Sequence, residues 1–147
     1  MKKTLLASAL LALASSAFAL DVGVVGGYDN NLNNGFAGVT VGQKFGKLGV
    51  TGGFERTTAG IVQNRWNLTG SYNVMKIGSV TLVGKGGVVY LDNEKFDSGW
   101  AGQVGAGVEI PLTAKLAATV DYRYQFGQTR VDLFNGSTVF AGVKYSF

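Results

Sequence analysis

The residues able to do chemistry in this chain are carboxylates, amines, guanidiniums and hydroxyls, because it contains neither histidine nor cysteine. A Ser–His or Cys–His nucleophile pair therefore cannot form. That excludes the lipases and lipid deacylases that depend on a serine–histidine pair, and the chain is not expected to be an enzyme. A zinc site built from the usual His and Cys ligands is excluded as well. Calcium needs only oxygen ligands, and Asp92, Asn93, Glu94 and Asp97 do cluster. Their spacing is not that of an EF-hand, and the cluster reads as a solvated polar loop. Val83-Gly84-Lys85-Gly86-Gly87 lacks both the first glycine and the Ser or Thr after lysine that a phosphate loop requires. No cofactor and no metal are expected.

What remains is ion pairing. Nine charged residues share one parity along the segments described next: Asp21, Lys44, Glu55, Arg65, Lys85, Glu109, Asp121, Arg123 and Lys144. Four are acidic and five basic, so they nearly cancel. Charges that share a face with small and polar residues must pair if that face is enclosed, because an unpaired buried charge is costly.

The elements that hold these charges are strands. No stretch beyond residue 19 sustains a helical period, whereas alternation with period two recurs. Between Lys115 and Phe126 one face reads Leu116, Ala118, Val120, Tyr122, Tyr124, Phe126, and the other reads Ala117, Thr119, Asp121, Arg123, Gln125. Eight such segments are drawn at 20–28, 36–45, 48–56, 62–74, 79–91, 98–110, 115–126 and 137–147. Most approach the length of about nine to eleven residues that a tilted membrane strand needs. The intervening segments alternate. Those at 46–47, 75–78 and 111–114 are short, while those at 29–35, 57–61, 92–97 and 127–136 are longer and more polar. The expected fold is all-β: an eight-stranded antiparallel up-and-down transmembrane β-barrel. Tight turns and both termini would lie on the periplasmic side, with longer loops outside.

Residues 1–19 are expected to be a cleaved signal peptide, leaving a single barrel domain at 20–147. Lys2 and Lys3 form a positive start, 5–14 is apolar, and Ala17-Phe18-Ala19 is a small-x-small cleavage site. Removing Lys2 and Lys3 lowers the formal charge from +4 to +2. A charge so small and scattered does not suggest nucleic acid.

Volume decides which face meets lipid. The lumen of an eight-stranded barrel is just wide enough to be filled by side chains. It could not hold the rings of Tyr28, Phe45, Phe54, Trp66, Tyr72, Tyr90, Trp100, Tyr122, Tyr124, Phe126, Tyr145 and Phe147. The apolar face therefore points outward. Tyr28, Phe54, Trp66, Tyr90, Trp100 and Phe126 fall near the outer strand ends, and Phe45, Tyr145 and Phe147 near the periplasmic ends. These are the expected aromatic girdles. Glu55, Arg65, Lys85, Asp121 and Arg123 then lie at middle depth or above as a lumen charge network. Asp21, Lys44, Glu109 and Lys144 lie at the periplasmic mouth.

Two stretches resemble a known family. Ala141-Gly142-Val143-Lys144-Tyr145-Ser146-Phe147 resembles the C-terminal β-signal of bacterial outer-membrane barrels: glycine, two residues, an aromatic, one residue, a terminal phenylalanine. Gly105-Ala106-Gly107-Val108-Glu109-Ile110-Pro111-Leu112-Thr113-Ala114-Lys115-Leu116, running on to Asp121-Tyr122-Arg123-Tyr124, resembles the penultimate hairpin of the small OmpA-like and opacity-like barrels. The resemblance implies that Gly142, Tyr145 and Phe147 are read by the barrel-assembly machinery. It also implies a cell outer membrane location. No periplasmic domain is expected, and the short outer loops weigh against an adhesin role.

The expected function is therefore that of an integral outer-membrane barrel with a structural, envelope or surface-interaction role and a polar, plugged lumen. The alternative is a small or gated ion-conducting porin. The expected partners are outer-membrane lipid and lipopolysaccharide, and the assembly machinery during biogenesis; Arg56, Lys95 and Arg130 at the outer rim could meet lipid phosphates, although scattered rim charges read first as solvated. The barrel is expected to be a monomer.

Overall fold

The computed structural model describes residues 20–30, 32–60, 62–93, 98–127 and 136–147. The expected signal peptide lies outside them, as do Glu94, Lys95, Asp97 and Arg130. Eight strands follow in order: β1 (Leu20–Asp29), β2 (Asn34–Phe45), β3 (Leu48–Thr57), β4 (Gln63–Ile77), β5 (Val80–Asn93), β6 (Gly99–Pro111), β7 (Leu116–Gly127) and β8 (Gly136–Ser146). Each pairs antiparallel with its sequence neighbours, and β1 also pairs with β8, so the sheet closes into a barrel. Closure leaves no unpaired edge, which is what a strand structure in hydrocarbon requires.

Two of the tight turns explain their own sequence. Gly46-Lys47 links Phe45 to Leu48, and Gly78-Ser79 links Ile77 to Val80. The first residue of each is glycine with positive φ, 67° and 62°. That is the pattern of a two-residue II′ hairpin, whose twist matches that of the strands. The turn expected at 75–78 is shorter than that. β4 runs on through a bulge between Asn73 and Met75, and Val74 is the extra residue. In the third turn the hydroxyl of Thr113 accepts from the Leu116 amide at 3.0 Å, after Pro111 has ended β6.

The loop end begins later than the sequence suggests. Asp29 and Asn34 are register partners that extend β1 and β2 into the expected 29–35 connection. Asp29 is thereby a strand residue of the same parity as Asp21, and it points inward.

The barrel is polar inside and apolar outside. Arg65, Gln63 and Glu55 are among the largest fully buried side chains, whereas Trp100 is 65% exposed, Val24 59% and Leu68 55%. Such a surface suits hydrocarbon rather than water. Around the loop end, Phe54, Trp66, Tyr90 and Trp100 are successive register partners across β3, β4, β5 and β6. Their rings contact in pairs, with centroids at 4.6 Å for Phe54–Trp66 and 5.2 Å for Tyr90–Trp100. Each such pair adds about 0.5–1.5 kcal/mol beyond its area. Tyr28 and Phe126 stand exposed at the same end. At the short-turn end Tyr145 packs on Phe147 at 4.9 Å.

Candidate functional site

The lumen is crossed by two ion pairs that join opposite walls. β3 and β7 lie four strands apart in an eight-strand ring, as do β2 and β6. Between the first two, Arg123 Nη1 donates to Glu55 Oε1 at 3.0 Å and Nη2 donates to Oε2 at 2.7 Å. This is the bidentate fork that a guanidinium makes best. Both side chains are buried, at 8% and 2% exposure. Asn67 Nδ2 donates to the same Glu55 Oε1 at 3.0 Å. Between β2 and β6, Lys44 Nζ donates to Glu109 Oε1 at 2.9 Å.

Shorter links complete the set. Arg65 pairs with Asp29, both buried, and its Nε donates to Gln63 Oε1 at 2.9 Å. Lys85 pairs with Asp121. At the short-turn mouth Lys144 Nζ lies 2.6 Å from Glu109 Oε2 and 3.6 Å from Asp21 Oδ2, and Ser146 donates to Asp21. Every charge assigned to the lumen from sequence is thus in a pair. With Asp29 added, five acids face five bases, and the lumen is neutral. The four mouth residues form one cluster, whereas the deeper ones form three separate pairs.

Two rings sit among these charges. Phe36 and Phe140 project inward from β2 and β8 with centroids 6.1 Å apart, edge to face. The Arg65 guanidinium lies 5.5 Å from the Phe36 centroid, and that of Arg123 lies 6.0 Å from Phe36 and 4.9 Å from Phe140. Cations over ring faces gain most where they are dry. Gly27 is the register partner of Phe36 on one side and of Phe140 on the other, and it makes room for Phe140. A Cβ there would overlap Phe140 Cβ and the Val139 carbonyl. The narrow polar lumen expected from sequence thus also holds large apolar side chains. Besides the two rings, buried Val89, Leu91 and Ala101 form an apolar cluster on β5 and β6.

Below this layer is a cavity of about 130 Å³. Asp21, Lys44, Glu109 and Lys144 line one end, and Glu55, Arg123 and Phe140 line the other. Lys85 and Asp121 lie on its wall, but Arg65, Asp29 and Phe36 do not. The order along the lumen is therefore mouth cluster, cavity, Glu55–Arg123 strut, then the Arg65–Asp29 pair.

Sequence reasoning missed Asp29, Phe36 and Phe140, and it placed Asn67 on the polar face without assigning it to the network. Parity could have found all of them. Asp29 continues the inward series of Asp21 and Gly23, and Phe140 that of Lys144 and Gly142. Gly142 itself is a packing position, because a Cβ there would come within 2.6 Å of the Val24 carbonyl oxygen. Tyr145 and Phe147 stand at the outer surface of the last strand end, and Phe147 N donates to Leu20 O at 2.9 Å. The six girdle residues lie outward at the loop end, with Phe54 and Tyr90 half-buried beneath their neighbours.

No protein-family model matches the sequence, and no curated protein matches it. Solved structures do match the fold. The N-terminal β-barrel domain of Pseudomonas aeruginosa OprF superposes with a TM-score of 0.73 at 14% identity, covering 88% of this chain and 97% of that one. Neisserial surface protein A gives 0.64 at 14% identity, covering 90% and 98%. A de novo designed transmembrane β-barrel gives 0.62 at 19% identity, covering 88% and 95%. A sequence designed to be such a barrel matches about as well as natural ones, so function must be argued from the site. The chain has the fold of the small eight-stranded outer-membrane β-barrels.

Proposed function

We propose that the protein is an integral barrel of the outer membrane with a structural or surface-interaction role in the envelope, and that its lumen is sealed. In this reading residues 1–19 direct export and are removed, the short turns face the periplasm, and the longer connections face outward. The exposed apolar belt and the shared fold support the membrane location. The observation that carries the sealed lumen is the Glu55–Arg123 strut, held bidentate across the barrel and flanked by Phe36 and Phe140. An ion passing it would have to displace a buried guanidinium held through both Nη groups to Glu55, and removing one partner of such a pair costs about 3–5 kcal/mol. Swelling of liposomes that carry the refolded barrel tests this. No faster entry of small sugars or ions than in protein-free liposomes is expected, and rapid entry contradicts the reading.

One observation favours a second reading, a gated ion-conducting pore. Lys85 is the most exposed of the deeper cations at 28%, and it lines the same cavity as Glu55. If Lys85 exchanged Asp121 for Glu55, Arg123 would be released and the strut would open. Channel events in the wild type that change on Lys85→Ala or Arg123→Ala would favour the gate. Silence in all three proteins would remove it.

A further inference from the structure

We propose that the short-turn rim of the barrel is a collar that binds the headgroups of anionic phospholipids in the periplasmic leaflet. The inference rests on the orientation given above, with the short turns on the periplasmic side. Charge balance points to it first. The lumen holds five acids and five bases, which cancel. In sequence, the loop-end connections and strand tips carry Arg56, Lys95 and Arg130 against Asp92, Glu94, Asp97 and Asp132, one negative charge in excess. The short turns and their strand ends carry exposed Lys47, Lys76 and Lys115 and no acid beyond the paired mouth cluster; Lys76 ends β4 on the inward face, in register with Thr81, and reaches the rim by its long stem. The net +2 of residues 20–147 therefore arises at one rim.

Position is the second argument. The three lysines lie at three different hairpin turns, β2–β3, β4–β5 and β6–β7. All three are exposed, and none is ion-paired among the described residues. The acids nearest the rim, Asp21 and Glu109, cannot neutralise them, because Lys44 and Lys144 hold those carboxylates inside the mouth. Each turn also exposes a large aliphatic side chain: Leu48 at 58%, Ile77 at 67% and Leu112 at 55%. Phe147, at 70%, marks the fourth side. A residue that dips into hydrocarbon beside a lysine on a long stem is the arrangement in which the ammonium reaches up to headgroup phosphate.

Spacing fixes the kind of ligand. Successive short turns are two strands apart, about 10 Å along the rim. At that distance each lysine meets a separate headgroup, and the three do not close on one small anion. The ligand class is an anionic phosphodiester lipid without a balancing amine, of which phosphatidylglycerol is the simplest probe.

The test uses the whole refolded barrel in vesicles of phosphatidylcholine containing spin-labelled phosphatidylglycerol or spin-labelled phosphatidylcholine. The motionally restricted fraction gives relative association at the barrel surface. The wild type is expected to prefer phosphatidylglycerol several-fold, since one lysine near an anionic surface is worth up to about fivefold, and to lose much of that preference at high salt. The triple variant Lys47→Gln/Lys76→Gln/Lys115→Gln should show no preference. Arg56→Gln, at the other rim, should keep it. Equal preference in wild type and triple variant overturns the collar, as does loss in Arg56→Gln alone. Orientation is read separately, by attaching an impermeant maleimide to Lys47→Cys in intact cells. No labelling is expected. Labelling from outside, with the vesicle preference intact, overturns the leaflet assigned while the headgroup site stands.

Discussion

Arg123 and Glu55 are 68 positions apart in the chain and meet fork to fork across the full width of the barrel, at 3.0 and 2.7 Å. The pair braces opposite walls, and each member neutralises the buried charge of the other. Replacing Arg123 by Ala should therefore destabilise the folded barrel by about 3–5 kcal/mol, because it strands the Glu55 carboxylate. The double variant Glu55→Gln/Arg123→Met should recover a large part of that loss. Urea unfolding in detergent micelles, followed by tryptophan fluorescence, reads both. An Arg123→Ala barrel as stable as wild type would show that water already carries the Glu55 charge.

The rings beside the strut depend on one glycine. Gly27→Ala places a methyl group against Phe140 Cβ and the Val139 carbonyl, so a loss of about 1–3 kcal/mol or a failure to refold is expected. Gly52→Ala is the contrast, since its nearest neighbours to an added Cβ are 4.0 Å away. That variant should refold with a midpoint close to wild type. Refolding yields of the two, compared by the gel shift between folded and heat-denatured barrel, check the difference.

Much of this was legible in advance, and the reason is periodicity. A barrel strand keeps strict alternation, so the inward parity of Glu55, Asp121 and Arg123 follows from their neighbours. Pairing does not follow, because it depends on how strands stagger around the ring. Arg65 has Glu55 as its cross-strand neighbour and yet bonds to Asp29, on a strand it does not touch in the sheet. Asp29-Asn30-Asn31-Leu32-Asn33-Asn34-Gly35 is a run of turn formers, so composition assigns Asp29 to a loop. The paired sheet extends one residue further along β1 and two further along β2 than that composition suggests. Phe36 and Phe140 were hidden by the rule that sent large rings outward, which holds for a face and fails for single residues beside a glycine.

The last strand offers a prediction about assembly. Deleting Phe147 removes one ring contact with Tyr145 and one bond to Leu20 O. Refolding of purified protein into lipid should be little affected, within about 1 kcal/mol. Assembly in cells should fall sharply if the terminal aromatic is recognised by the assembly machinery. Normal outer-membrane levels of the deletion variant would leave Phe147 as an interfacial anchor alone.

Export gives a simpler prediction. The intact mass of the protein extracted from membranes should correspond to a chain beginning at Leu20, after Ala17-Phe18-Ala19. A mass retaining Met1 to Ala19 would rule out cleavage at that site.

The sealed lumen is tested most directly by recording current across a planar bilayer containing the purified, folded barrel. Wild-type protein should give no discrete channel events over the voltage range in which the bilayer itself is stable. Arg123→Ala, which removes the strut while leaving the barrel wall, should give small and irregular events. Steady, uniform conductance steps from the wild type would contradict the seal and make the barrel a pore.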